Sequence, residues 1–147
     1  MKAPAIDLSE ARRAGLHNIG DAARQSSVSA RMIRHYEELH LLKPARRTSA
    51  GYRMYDDSDV HSLQFIRRAR DLGFSIEEIR RLLDLWHDRR RASGDVLRIA
   101  QKHVAALDEK IRELKSMRRT LEKLMGACRG NDLPDCPILE DLATSSH

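Results

Sequence analysis

At 147 residues the chain has room for one ordinary domain, or a small domain with an appendage. Hydrophobic residues make up 41%, aromatic residues only 4% and charged residues 33%, a balance that suits long solvated helices around a small core and argues against a large β core. A net charge of +5 makes an acidic partner reasonable, and no apolar run reaches the length of a transmembrane helix.

The charge is unevenly placed. From Ala11 to Arg53 there are nine Lys or Arg and three Asp or Glu, whereas Asn131 to His147 holds four acidic residues and no Lys or Arg. A basic front and an acidic rear suggest a nucleic-acid-binding head and a separate task at the tail. The N-terminal MKAPAIDLSEARRAG lacks the apolar stretch of a secretory signal. A cytoplasmic location is therefore expected, with Cys128 and Cys136 as free thiols. No phosphate loop, nucleophile–base motif or carboxylate constellation points to an enzyme.

Residues 1–16 show no sustained period and are expected to form a mobile extension, a short fraying helix being the alternative. Asn18 can cap a helix over Ile19–Arg24. Ser26–Ser27–Val28–Ser29 is a polar break, and Ser29 can cap a second helix from Ala30 to about Leu39. Two short helices split by a tight polar turn make a helix-turn-helix candidate. Met32, Ile33 and Leu39 read as core, and His35 as a silent surface residue.

Pro44 ends the helical pattern. Ala45–Tyr55 reads as a small hairpin turning at Ser49–Ala50–Gly51. Asp56 can cap a third helix from Asp57 to about Leu72, with Val60, Leu63, Phe65, Ile66 and Ala69 as its apolar set and Gly73 as its stop. Ser75–Ile76–Glu77–Glu78 has capping-box spacing. It opens a fourth helix that buries Ile76, Ile79, Leu82, Leu83 and Trp86.

After the Arg-rich break His87–Arg91, a long helix runs from about Gly94 to Met125. Alternate steps of three and four from Leu97 give Ala100, Val104, Leu107, Ile111, Leu114, Arg118, Leu121, Met125 and Cys128, a seam broken once, by Arg118. At about 1.5 Å per residue the helix is roughly 45 Å long. The rest of the chain is too small to cover such a stripe, so a second copy is expected on it. Gly126–Asp135 is a loop, and Pro137 to about Leu142 a last short helix.

This order resembles the MerR family of transcription regulators. The resemblance is carried by Ile33–Arg34–His35–Tyr36–Glu37, by Gly51–Tyr52–Arg53–Met54–Tyr55 and by Leu72–Gly73–Phe74–Ser75–Ile76–Glu77–Glu78–Ile79, and it covers about residues 17–142. It implies a mainly α protein with a winged helix-turn-helix DNA-binding domain over 17–91. A dimerisation helix of a long antiparallel coiled coil spans 92–126, and a metal-binding loop with a C-terminal helix spans 127–147. Ala127–Cys128 and Cys136–Pro137–Ile138–Leu139–Glu140 look like the metal loop of the family's copper-efflux-regulator branch. Ser93 stands where that branch has Ser, and branches sensing divalent ions have a third Cys.

Arg31 and Arg34 are three residues apart on one helix and project from the same side, which suits a helix entering a major groove. Arg binds phosphate or reads a guanine edge, and Tyr36 can give a hydroxyl to phosphate. In the wing, Arg47, Tyr52, Arg53 and Tyr55 stand at positions where the resemblance implies DNA contacts. Tyr36 and Tyr55 could instead be core rings.

The spacing of Cys128 and Cys136 is not that of a zinc Cys-x-x-Cys pair. From spacing alone an unremarkable thiol pair, a redox disulfide and a metal site all stay open. Two soft thiolates suit a monovalent d¹⁰ ion in linear coordination, Cu(I) or else Ag(I) or Au(I), and the family context favours that reading, with Ser93 of a second copy closing the site. Double-stranded promoter DNA, a second copy of the chain and RNA polymerase are the partners this implies. A disulfide-switched regulator of the same fold, or a structural DNA-binding protein without a ligand, are the alternatives.

Overall fold

The computed structural model describes residues 5–128, 130 and 134–144. The elements are α1 (Leu8–Arg13), α2 (Ile19–Ser26), α3 (Ala30–Glu38), β1 (Arg46–Arg47), β2 (Arg53–Met54), α4 (Asp57–Asp71), α5 (Ile76–His87), α6 (Ser93–Ala127) and α7 (Pro137–Ala143). The chain divides into two compact units between Val96 and Leu97.

Polar caps set where the helices of the first unit begin. Asn18 accepts from the Asp21 N–H at 2.8 Å and Ser29 from the Met32 N–H at 3.2 Å, so α2 and α3 each start with a donor satisfied that the helix cannot satisfy itself. Asp56 with Asp59, and Ser75 with Glu78, form reciprocal capping boxes. Between α2 and α3 the chain turns through Ser27 in a left-handed conformation (φ 61°). Gly73 takes φ 87° just beyond α4, a conformation open to glycine at no steric penalty, and it lets Phe74 N–H return to the Ala69 carbonyl at 3.1 Å.

α2 packs on α3 and α4, and α4 packs on α5. Their shared core holds Ala22, Val28, Ile33, Tyr36, Leu41, Leu42, Tyr55, Val60, Leu63, Ile66, Ala69, Ile79 and Leu83. Of the other residues expected in the core, Leu39, Phe65 and Ile76 are half-buried against it and Leu82 is half-buried, whereas Met32 and Trp86 are exposed. On α3 the buried stripe is only Ile33 and Tyr36, three apart, so Met32 falls beside it and is 37% exposed. On α5 it is Ile79 and Leu83. Trp86, in the last turn, is 56% exposed, flanked by the Phe65 ring at 6.2 Å and the Arg91 guanidinium at 5.3 Å.

The wing is an antiparallel hairpin pairing Arg46 with Met54 and Arg47 with Arg53. Gly51 at φ 87° closes its turn, its N–H reaching the Thr48 carbonyl at 2.9 Å. The stretch expected as a mobile extension departs most from expectation. Asp7 caps α1, Ala11 is completely buried, and Ile6 pairs with Thr48 of the wing. Short-range periodicity could not show this, because the anchors are backbone bonds to residues some forty positions away.

In the second unit α6 runs for 35 residues, about 52 Å at the usual helical rise. Its seam residues Leu97, Val104, Leu107, Ile111, Leu114, Leu121 and Met125 are all exposed. No helix among the described residues is long and apolar enough to cross a membrane.

Candidate nucleic-acid interface and thiol pair

The Ser29 cap starts α3 immediately before its basic face. With Ile33 and Tyr36 turned inward, Arg31 and Arg34 are left exposed on the outer side. Arg34 lines a cavity of about 700 Å³ together with Arg24 of α2 and Arg47, Tyr52 and Arg53 of the wing. Helix and wing residues separated by up to 29 positions thus share one cationic concavity. Arg31 and Tyr36 do not line it.

The wing residues differ in what holds them. Tyr52, at the tip, is 72% exposed. Arg47 is exposed and donates to the Gly51 carbonyl at 3.0 Å, bracing the turn. Arg53 is half-buried and forms an ion pair with Glu37 of α3, which also accepts the Tyr55 hydroxyl. Tyr55 is 1% exposed. The expectation that it contacts DNA is therefore corrected: its ring is core and its hydroxyl is used inside the protein. Tyr36, 5% exposed, is likewise a core ring.

Glu37 is the residue that sequence reasoning missed. The one available signal was an acid set among basic residues on the expected reading helix. Its carboxylate joins α3 to β2 and ties that helix to the wing. Burial is the main cause raising the Tyr55 phenol above its ordinary range, against the lowering effect of Arg53. The phenol stays protonated and donates.

An acidic pair stands where the wing enters α4. Asp59, 4% exposed, accepts from the Asp56 N–H at 2.9 Å, and Asp56 accepts from the Asp59 N–H at 2.8 Å. Burial pushes the Asp59 carboxyl up to about 6. Burial acts upward on Asp56 too, but the hydrogen bonds from Lys43 and the Asp59 backbone outweigh it and leave that carboxyl lowered.

Cys128 follows α6 directly, its N–H donating to the Leu124 and Met125 carbonyls at 3.1 Å. Cys136 is the N-cap of α7, with Pro137 in the first turn and no side-chain cap bond. Both are half-buried free thiols. Residues 129 and 131–133 of the loop between them lie outside the described residues. Among the described residues no group of three or more His, Cys, Asp or Glu gathers in a way that could hold a metal ion. Ser93 is exposed and is the first residue of α6.

A capped helix-turn-helix, a basic wing locked to it and a long helix with an exposed apolar seam define a winged DNA-binding regulator. Two sequence profiles match the chain: one described as MerR HTH family regulatory protein over residues 17–86, and one described as MerR, DNA binding over residues 60–124. Heavy metal-dependent transcription regulator 2 of Rhizobium meliloti (strain 1021) is 55% identical over 129 residues, 88% of each chain. The HTH-type transcriptional regulator CueR of Escherichia coli O157:H7 is 41% identical over 130 residues, 88% of this chain and 96% of that one. The crystal structure of the transcription regulator PbrR691 from Ralstonia metallidurans CH34 in complex with lead(II) superposes with a TM-score of 0.76 at 31% identity, covering 86% of this chain and 99% of that one. The chain belongs to the MerR family, whose members are transcription regulators and not enzymes.

Proposed function

We propose that the protein is a metal-responsive regulator that binds double-stranded promoter DNA as a homodimer and activates transcription when Cu(I), or else Ag(I) or Au(I), occupies Cys128 and Cys136. The observation that carries this is the pair of half-buried free thiols at the end of α6 and the cap of α7, in a chain whose relatives are named for heavy-metal dependence.

The donor set suits such an ion in kind. Two thiolates are soft ligands, and with a monovalent ion they leave a single negative charge, which is easier to hold half-buried than two. Cys136 stands at the positive end of α7, where the first-turn N–H groups lack a side-chain cap. A divalent ion would want further donors. Ser93 of a second copy would close the site without adding a thiolate.

DNA is met by Arg31, Arg34, Arg47, Tyr52 and Arg53, with Tyr36 restricted to its hydroxyl. The exposed α6 seam supports the homodimer, since an isolated helix has no other use for such a stripe. The family resemblance implies activation through distortion of promoter DNA, with RNA polymerase as the further partner.

The test is an anaerobic titration of the reduced protein with Cu(I), Ag(I), Zn(II) and Hg(II), reading metal stoichiometry, operator binding and transcription in vitro. The expected result is one monovalent ion per Cys pair. Cys136→Ser should bind operator like the unaltered protein and fail to activate. Activation by Cys136→Ser with Cu(I) would refute the two-thiolate site. Activation by a thiol oxidant without metal would establish the disulfide switch in its place.

A further inference from the structure

Residues 5–16 precede the profile match, which begins at residue 17, yet they are built into the wing. The Ile6 N–H donates to the Arg47 carbonyl at 3.0 Å and the Ile6 carbonyl accepts from the Ser49 N–H at 2.9 Å, a parallel bridge along the free edge of β1. At the other end of the segment, His17 exchanges both backbone bonds with Tyr55, at 2.6 and 2.7 Å, just beyond β2. The chain thus starts at one edge of the hairpin and finishes at the other, with α1 between. Ala11, Thr48 and Met54 are all buried, and none belongs to the main core cluster of the head.

This anchoring fixes which way α1 faces. Ala11 is turned inward, while Leu8 lines the same cavity as Arg34, Arg47 and Tyr52. Arg12 lies four positions after Leu8, on the same side of the helix one turn later. It is exposed, and no acid among the described residues pairs with it.

We propose that α1 is a third DNA-contacting element of the head, carried by the wing, and that Arg12 sets its guanidinium on a backbone phosphate beside those met by Arg47 and Tyr52. A helix resting on a wing meets the duplex at its backbone and not within a groove, and phosphate is the commoner partner of Arg. The proposal rests on the DNA-binding reading of the head and lengthens its footprint on each half of the site.

The experiment is equilibrium binding of the full chain, by fluorescence anisotropy, to a duplex carrying the site that the unaltered protein selects from a random-sequence pool, over a range of salt concentrations. Arg12→Gln removes the charge while keeping a good helix former. Two phosphates per dimer should then be lost, making the slope of log K against log salt shallower by about 1.8 and weakening binding roughly ten- to a hundredfold near 0.1 M salt. The melting temperature should be unchanged. A weaker affinity with an unchanged slope would overturn the proposal and leave α1 as a brace for the wing. Unchanged affinity and slope would overturn it as well. If the unaltered protein selects no duplex, the DNA-binding reading fails and takes this one with it; selection followed by an Arg12→Gln failure sinks only the role of α1.

Discussion

Arg53 and Tyr55 stand two positions apart in one short segment, and their fates separate on a single partner, Glu37. It pairs with the half-buried guanidinium and accepts a hydrogen bond from the buried phenol. Burial also decides the chemistry of Asp59. Its carboxyl, raised by burial to about 6 from an ordinary 3.8, holds a proton more tightly in the folded protein than in the unfolded chain. The folded state is therefore favoured below that interval, and stability should fall as pH rises from 3.8 to about 6. The lowered Asp56 carboxyl acts with the opposite sign, and only below its ordinary value. Asp59→Asn keeps an oxygen for the Asp56 N–H and removes the titration. Urea denaturation across this interval should show the slope in the unaltered protein and a flattened profile in Asp59→Asn. An unchanged slope in the variant would place the titrating group elsewhere.

The capped starts of α2, α3, α4 and α5 are each given by one polar residue and the apolar positions that follow, all within one turn of chain. That is why these elements were legible in the sequence. α1 was not, because its anchors are Thr48, Tyr55 and the Arg47 carbonyl. α6 is the converse case: its period is plain in sequence, and its meaning lies in what could cover it. Leu107 is 38% and Ile111 48% exposed, too much apolar surface along one line for an unpartnered helix. Changing both to Lys should leave the helix formed, since Lys is a good helix former, while placing like charges in the seam. Analytical ultracentrifugation at micromolar concentration should show the unaltered protein as a dimer and the double variant as a monomer that no longer binds operator. A monomeric unaltered protein would refute the seam.

At the scale of the whole molecule, folding gathers charge that the sequence scatters. Arg24, Arg34, Arg47 and Arg53 come from α2, α3, β1 and β2 and line one cavity. If six phosphates are neutralised by the two heads of a dimer, log K should fall with log salt at a slope near about −5. Filter-binding or anisotropy titrations would read this directly, and a slope near zero would contradict the basic head. The proposed metal response belongs to the other end of the chain, where both thiols lie beyond the head in sequence. A Cys variant should accordingly separate activation from DNA affinity.

Features encoded over one or two helical turns were readable from the residues alone: the helix starts, the wing turn at Gly51, the seam of α6, and Cys136 just before α7. Those features depend on backbone donors, φ preferences and side-chain period, all of which are local. Tertiary packing alone makes Tyr36 and Tyr55 core rings, leaves Met32 and Trp86 exposed, ties α3 to the wing through Glu37 and joins residues 5–16 to the head. Burial and pairing across tens of residues are set by which faces meet, and a linear pattern records the faces without recording what they meet.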